Sequence, residues 1–246
     1  MKNLIKNMFQ KLLGLENYLF YFSLYTYIKL NNNQHEKELL YFIDIIPNDG
    51  VILDIGANIG VTTTAFAKRK ADAKIFSFEP IKENQTVFRK IIAYHNLKNV
   101  TFFPIALGNS SGTLKMVMPV IGNAKMHGLS HVYVEGDEQP WNTGISYTVP
   151  VKKADDIPEL RTAGKINAIK IDVENFEFEV LTGARELLIA NRPYIYCELW
   201  ANEKRALTIN YIKTLQYKVQ VMVDGKLVPY TNQDVLNFFF IPNLIL

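Results

Sequence analysis

The chain has 246 residues, a net charge of +3, 48% hydrophobic and 21% charged residues. That length fits one α/β domain with an extension, and so small a charge gives no electrostatic case for wrapping nucleic acid. The single cysteine, Cys197, lies in an apolar run. It cannot close an internal disulfide and reads as a small buried hydrophobe, which predicts a reducing, cytoplasmic setting.

Leu4, Ile5, Met8, Phe9, Leu12 and Leu13 recur at helical spacing, with Lys2, Lys6 and Lys11 largely off that stripe. This is a basic amphipathic helix. It has two placements: peripheral contact with a membrane surface, or burial against its own domain or a second copy, a homo-oligomer through residues 1–30. The short stripe favours burial. Glu16 and Asn17 interrupt the segment as a secretory leader, and Tyr18 to Ile28 falls short of the about twenty apolar residues that cross a bilayer. The aromatic stretch Tyr18 to Tyr27 reads as core or interface. Asn31-Asn-Asn33 is a linker that closes an N-terminal helical extension, residues 1–34, ahead of a domain spanning 35–246. Glu36 to Ile46 is helical, and Pro47-Asn-Asp-Gly50 is a turn.

The segment Val51-Ile-Leu-Asp-Ile-Gly-Ala-Asn-Ile-Gly60 is the most informative. An apolar run ends in an acid, a glycine turn follows, and Val61 to Arg69 continues as a helix. A buried parallel strand so placed delivers a helix N-terminus to the carboxyl edge of a sheet, where open α/β folds bind nucleotide-like ligands. Glu79 ends the next apolar run, about twenty residues on, where such folds hold ribose hydroxyls. Asn58 occupies the middle glycine of the dinucleotide pattern, and no Gly-Lys-Ser/Thr occurs. One glycine pair with an acid before it suits a ligand that has ribose but no phosphate. S-adenosylmethionine fits: its amino group on Asp54, its ribose on Glu79, its carboxylate on N–H groups at the helix start.

Strand and helix patterns then alternate, which predicts a parallel sheet with covering helices. The strands are Val51 to Ile55, Lys74 to Phe78, Val100 to Ile105, Asn167 to Val173 and Tyr194 to Leu199. A hairpin (Lys218 to Val223, Asp224-Gly225, Leu227 to Tyr230) and a last strand, Asn237 to Ile241, follow. Residues 108–153 break the alternation. Thr113 to Met118 and Ser146 to Lys152 read as edge strands around a long polar stretch that carries His127, Ser130, His131 and Trp141. Long loops are commonly functional, so this one is expected to cover the substrate.

Ile169-Lys-Ile-Asp-Val-Glu-Asn-Phe-Glu177 is the second chemical motif. It sets Asp172 and Glu174 at the carboxyl edge of the sheet, and Glu198 ends the neighbouring strand. An acid there can face both a sulfonium and an incoming hydroxyl. The plainer reading is a set of solvated acids at a helix N-terminus.

Asp54-Ile-Gly-Ala-Asn-Ile-Gly60, Phe78-Glu-Pro80, Ala106-Leu107 and Ile171-Asp-Val-Glu-Asn-Phe-Glu177 together resemble the FkbM family of S-adenosylmethionine-dependent methyltransferases. The likeness runs from about His35 to the last strand. It implies a class I methyltransferase (Rossmann-like) α/β fold, a mostly parallel seven-stranded sheet with helices on both faces. It implies that Asp54, Gly56, Asn58, Gly60, Glu79, Leu107, Asp172 and Glu174 bind the cofactor, with Leu107 flanking adenine and Asp172 and Glu174 beside the reacting centre. It also implies O-methylation of sugars or polyketide-type hydroxyls. The family usually has glycine where this chain has Asn175, a residue that tolerates left-handed backbone.

The expected reaction is in-line displacement at the sulfonium methyl by a hydroxyl of a sugar, in a surface glycan or glycolipid. Asp172, Glu198, His127 and His131 are the candidate bases. Asp172 and Glu198 could also hold a hard cation, but nothing else completes a metal site. The place of an Asn/Asp-Pro-Pro-aromatic run reads Asp172-Val-Glu-Asn175, which argues against a nucleic-acid substrate. The competing expectation is a non-catalytic nucleotide-binding module held at a membrane or in a complex by the amphipathic N-terminus.

Overall fold

The computed structural model describes residues 2–32, 36–136 and 139–243. Asn33 of the expected linker and the expected 34/35 domain boundary fall outside them. Helices α1 (Lys2–Leu13), α2 (Leu15–Asn31) and α3 (Lys37–Ile45) come first. The alternating core follows: β1 (Val51–Ile55), α4 (Val61–Arg69), β2 (Lys74–Phe78), α5 (Lys82–His95) and β3 (Val100–Phe103). Next come β4 (Ala106–Leu107), β5 (Gly112–Ile121), β6 (Ala124–Lys125), β7 (His131–Val132) and β8 (Gly144–Lys152). The chain then returns through α6 (Pro158–Thr162), β9 (Ile166–Ile171), α7 (Glu177–Thr182), α8 (Arg185–Asn191) and β10 (Tyr194–Glu198). It closes with α9 (Glu203–Thr214), β11 (Tyr217–Val223), β12 (Lys226–Pro229) and β13 (Asn237–Pro242).

The main sheet has the order β12-β11-β13-β10-β9-β1-β2-β3. Five strands from β10 to β3 pair in parallel, while β13, β11 and β12 pair antiparallel in turn. The sheet therefore has eight strands, not the expected seven. The extra one is the second arm of the predicted hairpin, which turns through Asp224 and Gly225, both at positive φ, and lengthens the edge.

Every residue of β1 is buried, as a parallel strand covered on both faces requires. Val51, Leu53 and Ile55 face one layer with Leu181, Leu188 and Ile195. Ile52 faces the other with Phe42, Phe66 and Phe239. Phe42, Tyr196 and Phe239 touch ring to ring there. Burying each such side chain contributes about 1.5–3 kcal/mol, so this cluster anchors α3 to the sheet.

Residues 108–153 do not extend the main sheet, as the expected edge strands would. The β5–β8 hairpin pairs with β4 and with β6 and β7 into a second sheet. Met116, Met118, Val149 and Val151 bury their own small core against Ile81 and Ala106. This sheet stands over the carboxyl ends of β1 and β2.

The N-terminal helices divide in behaviour. α2 packs on α4 and α5 with Leu19 and Leu30 buried, and Ser23 Oγ donates to the Ile59 carbonyl at 3.0 Å. Of the two expected ways of burying the α1 stripe, the one against its own domain is not realised. Leu4, Ile5, Met8, Phe9, Leu12 and Leu13 are all exposed. α1 docks instead by its polar side: Gln10 is buried and clasps the main chain of Lys125, donating to its carbonyl at 3.0 Å and accepting from its N–H at 2.9 Å. Two backbone groups that strand pairing leaves free bind an amide side chain more strongly than they would a leucine. Among the described residues, no helix is long and apolar enough to cross a membrane.

Candidate active site

The strand ends β1, β2, β9 and β10 converge under the second sheet. Gly56 has φ 80°, and a Cβ there would overlap the carbonyl oxygen of Asp172, so the β1 turn and the β9 end touch backbone to backbone. Gly60, also left-handed, starts α4. Asn58 has φ 50°, and its N–H donates to Glu79 Oε2 at 2.9 Å. Glu79 Oε1 accepts from the Ile81 N–H at 2.8 Å and from Asn84 Nδ2 at 3.3 Å. The carboxylate is thus caged, with acceptor capacity left on Oε2 for one more donor. Burial pushes it up to about 7 against the pull of those three donors.

Two hollows flank this turn, with about 630 and 1000 Å³ of empty space, mouths included. The first is walled by Phe78, Glu79 and Ile81 from the β2 end, Leu107 from β4, Met116 from the second sheet, and Glu174. The second is walled by Val61 and Thr62 at the N-terminus of α4, Phe22 and Thr26 of α2, and Lys170, Tyr196 and Glu198. Gly56, Asn58, His127, Gly128 and Asp172 belong to both. The junction of the hollows is therefore Asp172 below and the His127 segment above.

Asp54 reaches neither hollow. It is fully buried beneath the glycine turn, where Thr63 Oγ1 donates to its Oδ2 at 2.5 Å. Its place follows from sheet register: Ser77, Asp54, Lys170, Tyr196 and Phe239 form one row across five strands. Lys170 Nζ lies 3.8 Å from Asp54 Oδ1 and donates to the Gly56 carbonyl at 3.1 Å and to Asp172 Oδ2 at 3.3 Å. Burial works against its charge, but Asp172 and Asp54 outweigh it and hold the ammonium above lysine's ordinary range. Lys170 was not among the sequence candidates. Its signal was a lysine in the middle of an apolar parallel strand, a position that buries charge only when it is paired.

Past β9 the chain turns through Glu174 and Asn175 at φ 54° and 73°. Asn175 therefore adopts the left-handed backbone expected of a glycine stand-in, and its Oδ1 accepts from Asn202 Nδ2 at 2.8 Å. Glu177, another residue the sequence reading passed over, closes the turn. Its Oε1 accepts from the N–H groups of Val173 and Asn175, both at 3.1 Å. Burial, then the charges of Asp172, Glu198 and Glu177, push Glu174 up to about 9. Burial and Asp172 raise Glu198 to about 7, with Lys170 pulling the other way.

The structure separates the two histidines. His127 lines both hollows, its Nδ1 3.1 Å from Asn58 Oδ1, and burial followed by Lys6 pushes it down to about 3. It is a neutral wall, ill suited to take a proton. His131 lines neither hollow. Its Nδ1 meets the Leu129 carbonyl at 2.8 Å, and its ring lies 4.3 Å from that of Trp141. Of the four candidate bases, Asp172 and Glu198 stand where a reacting group would sit.

These residues fit the methyl donor. The helix N-terminus at Val61 and Thr62 suits its carboxylate, the Oε2 of Glu79 its ribose, the Leu107 wall its adenine, and the acid-lined junction its sulfonium. Fold and site define a class I methyltransferase-type α/β domain. The family model of the methyltransferase FkbM domain matches residues 54–221, so the chain belongs to the FkbM methyltransferase family, whose methyl donor is S-adenosylmethionine. Methyltransferase 1 of Beauveria bassiana is 25% identical over 158 residues, covering 58% of this chain and 61% of that protein. Hexuronic acid methyltransferase AglP of Haloferax volcanii is 31% identical over 143 residues, covering 57% and 52%. The chain thus matches only about three fifths or less of these relatives' own lengths. The crystal structure of an FkbM methyltransferase from Methylobacillus flagellatus shares the fold, with a TM-score of 0.53 and 16% identity over 78% of this chain and 44% of that one.

Proposed function

We propose that the protein transfers the methyl group of S-adenosylmethionine to a hydroxyl of a sugar in a glycan. The observation that carries this reading is the second hollow, which meets the cofactor crevice at Asp172 and holds Glu198. Adenosine occupies the first hollow and the methionine carboxylate lies at the start of α4. That puts the sulfonium methyl at the junction, aimed at whatever enters beside Glu198. Positioning supplies much of the acceleration, because the sulfonium is already a strong electrophile. Glu198, raised to about 7, is near the optimum for a base at neutral pH and takes the hydroxyl proton as the oxygen–methyl bond forms. S-adenosylhomocysteine leaves. Asp172, held by Lys170, faces the sulfonium.

The charge of the second hollow supports a hydroxyl rather than a carboxylate as the acceptor. Among the described residues its walls bring Asp172 and Glu198 against one cation, Lys170, which is already bonded to Asp172. An anionic acceptor would meet net repulsion there, whereas a neutral polyol would find acceptors for its O–H groups. Trp200, two residues past Glu198, touches Trp141 of the second sheet's loop, with rings 6.2 Å apart. The likeness to a hexuronic acid methyltransferase supports the sugar class alone; a hexuronic acid is itself anionic, and the preference for a neutral sugar rests on the acids of this chain's own hollow. The test is mass spectrometry of candidate glycans after incubation with enzyme and cofactor. A gain of one methylene on a defined sugar is expected. Cofactor binding without turnover on any glycan would instead favour a binding module.

A further inference from the structure

α1 presents its apolar stripe outward. Leu4, Met8 and Leu12 are 68%, 55% and 75% exposed, while the opposite, polar side holds the domain through Gln10. Gly14, at φ 73°, turns the chain into α2, whose Tyr21, Tyr25 and Ile28 are also exposed. The two helices thus carry one run of uncovered large apolar side chains, with tyrosines among them. An ordinary surface helix turns the other way.

Charge identifies what covers this face. Residues 1–35 hold four lysines and one glutamate, which equals the +3 of the whole chain; the remainder carries 23 basic and 23 acidic residues. α1 has no acid, and Glu16, the one acid of the segment, is ion-paired with Lys90. A two-fold contact between copies would set these lysines against one another with no acid on α1 to answer them, at a cost in repulsion. An anionic bilayer answers both features. It takes the leucines, methionine and phenylalanine into its acyl boundary, the tyrosines at its headgroups, and Lys11 and Lys29 against its phosphates, while Lys6 is turned onto the domain, its Nζ 3.5 Å from Met126 Sδ.

We infer that α1 and the outer side of α2 form a docking surface for an anionic lipid bilayer. α2 also lends Phe22 and Thr26 to the second hollow. Docking brings that mouth beside the headgroups, within reach of a lipid-borne acceptor; this last step rests on the sugar reading, and the docking itself does not.

Vesicle co-sedimentation tests it. The intact chain is mixed with vesicles of phosphatidylglycerol and phosphatidylcholine, or of phosphatidylcholine alone. We expect partition into the anionic vesicles at least tenfold above the neutral ones. About 1 M salt, where screening acts within about 3 Å, should reduce it severalfold. The double variant Met8→Glu/Leu12→Glu should abolish it while binding S-adenosylhomocysteine with wild-type affinity by calorimetry, which shows its fold is intact. Wild-type protein left in the supernatant overturns the inference. So does partition that the double variant retains, or light scattering that shows a dimer broken by the variant with no vesicle binding. None of these readouts uses methyl transfer, so docking and the sugar reading fail separately.

Discussion

Glu198 and Asp54 show how neighbouring acids are assigned different work by burial. Glu198 lies at the mouth of the second hollow with its carboxyl near 7. Below that value it is protonated and cannot accept a proton. We therefore expect kcat/KM to rise with pH through about 7 and then level off. Glu198→Gln should remove that limb and lower kcat about 10²–10⁴-fold, read from methyl transfer across pH. A profile unchanged in the variant would take the role from Glu198. Asp54 is fully buried and bound to Thr63 and Lys170 beneath the glycine turn, outside both hollows. Removing its cation leaves a buried carboxylate unpaired. Lys170→Met should cost about 3–5 kcal/mol in urea unfolding, while a variant as stable as wild type would mean the row contributes little.

The central strands were legible in the sequence because parallel strands buried on both faces write continuous apolar runs, and those of β1, β2, β9 and β10 stop at an acid or a glycine; the edge strand β3 stops instead before Pro104. The turn after β9 shows the same economy. Asn175 sits where φ is positive, so Asn175→Gly removes only the bond from Asn202 and should change stability by less than about 1 kcal/mol, whereas Asn175→Val forces a β-branched residue into that region and should cost at least twice as much in thermal unfolding. Elements whose placement depends on partners were not legible. Periodicity shows that α1 has an apolar side but not which way it faces. Residues 113–118 and 146–152 read as strands, yet only their pairing with each other and with β4 decides that they form a second sheet. Two histidines four residues apart look alike in sequence; the fold puts one in the cavity wall and the other beside Trp141. Lys170 was marked in sequence only as a lysine inside an apolar run; its pairing with Asp54 came from cross-strand register.

At the scale of the molecule, the site is short of positive charge. Glu79, Glu174 and Glu198 titrate at about 7, 9 and 7 in the folded protein, above the unfolded value of about 4.3. The stability their protonated forms contribute is complete below the unfolded value and is lost as pH rises through those folded values. S-adenosylmethionine carries one more positive charge than S-adenosylhomocysteine and favours the ionised carboxylates. Its affinity should rise several-fold from pH 6 to pH 9, with a smaller change for the product, as titration calorimetry would read. Parallel trends for both ligands would mean that these acids do not face the sulfonium.

Gln10 gives the leading helix a mechanical role. Its amide grips Lys125, two residues before the histidine that forms the ceiling shared by both chambers. Whatever steadies that helix therefore also steadies the ceiling. Gln10→Ala touches no chamber-lining atom, yet it should quicken the escape of spent cofactor, a change that stopped-flow displacement would register.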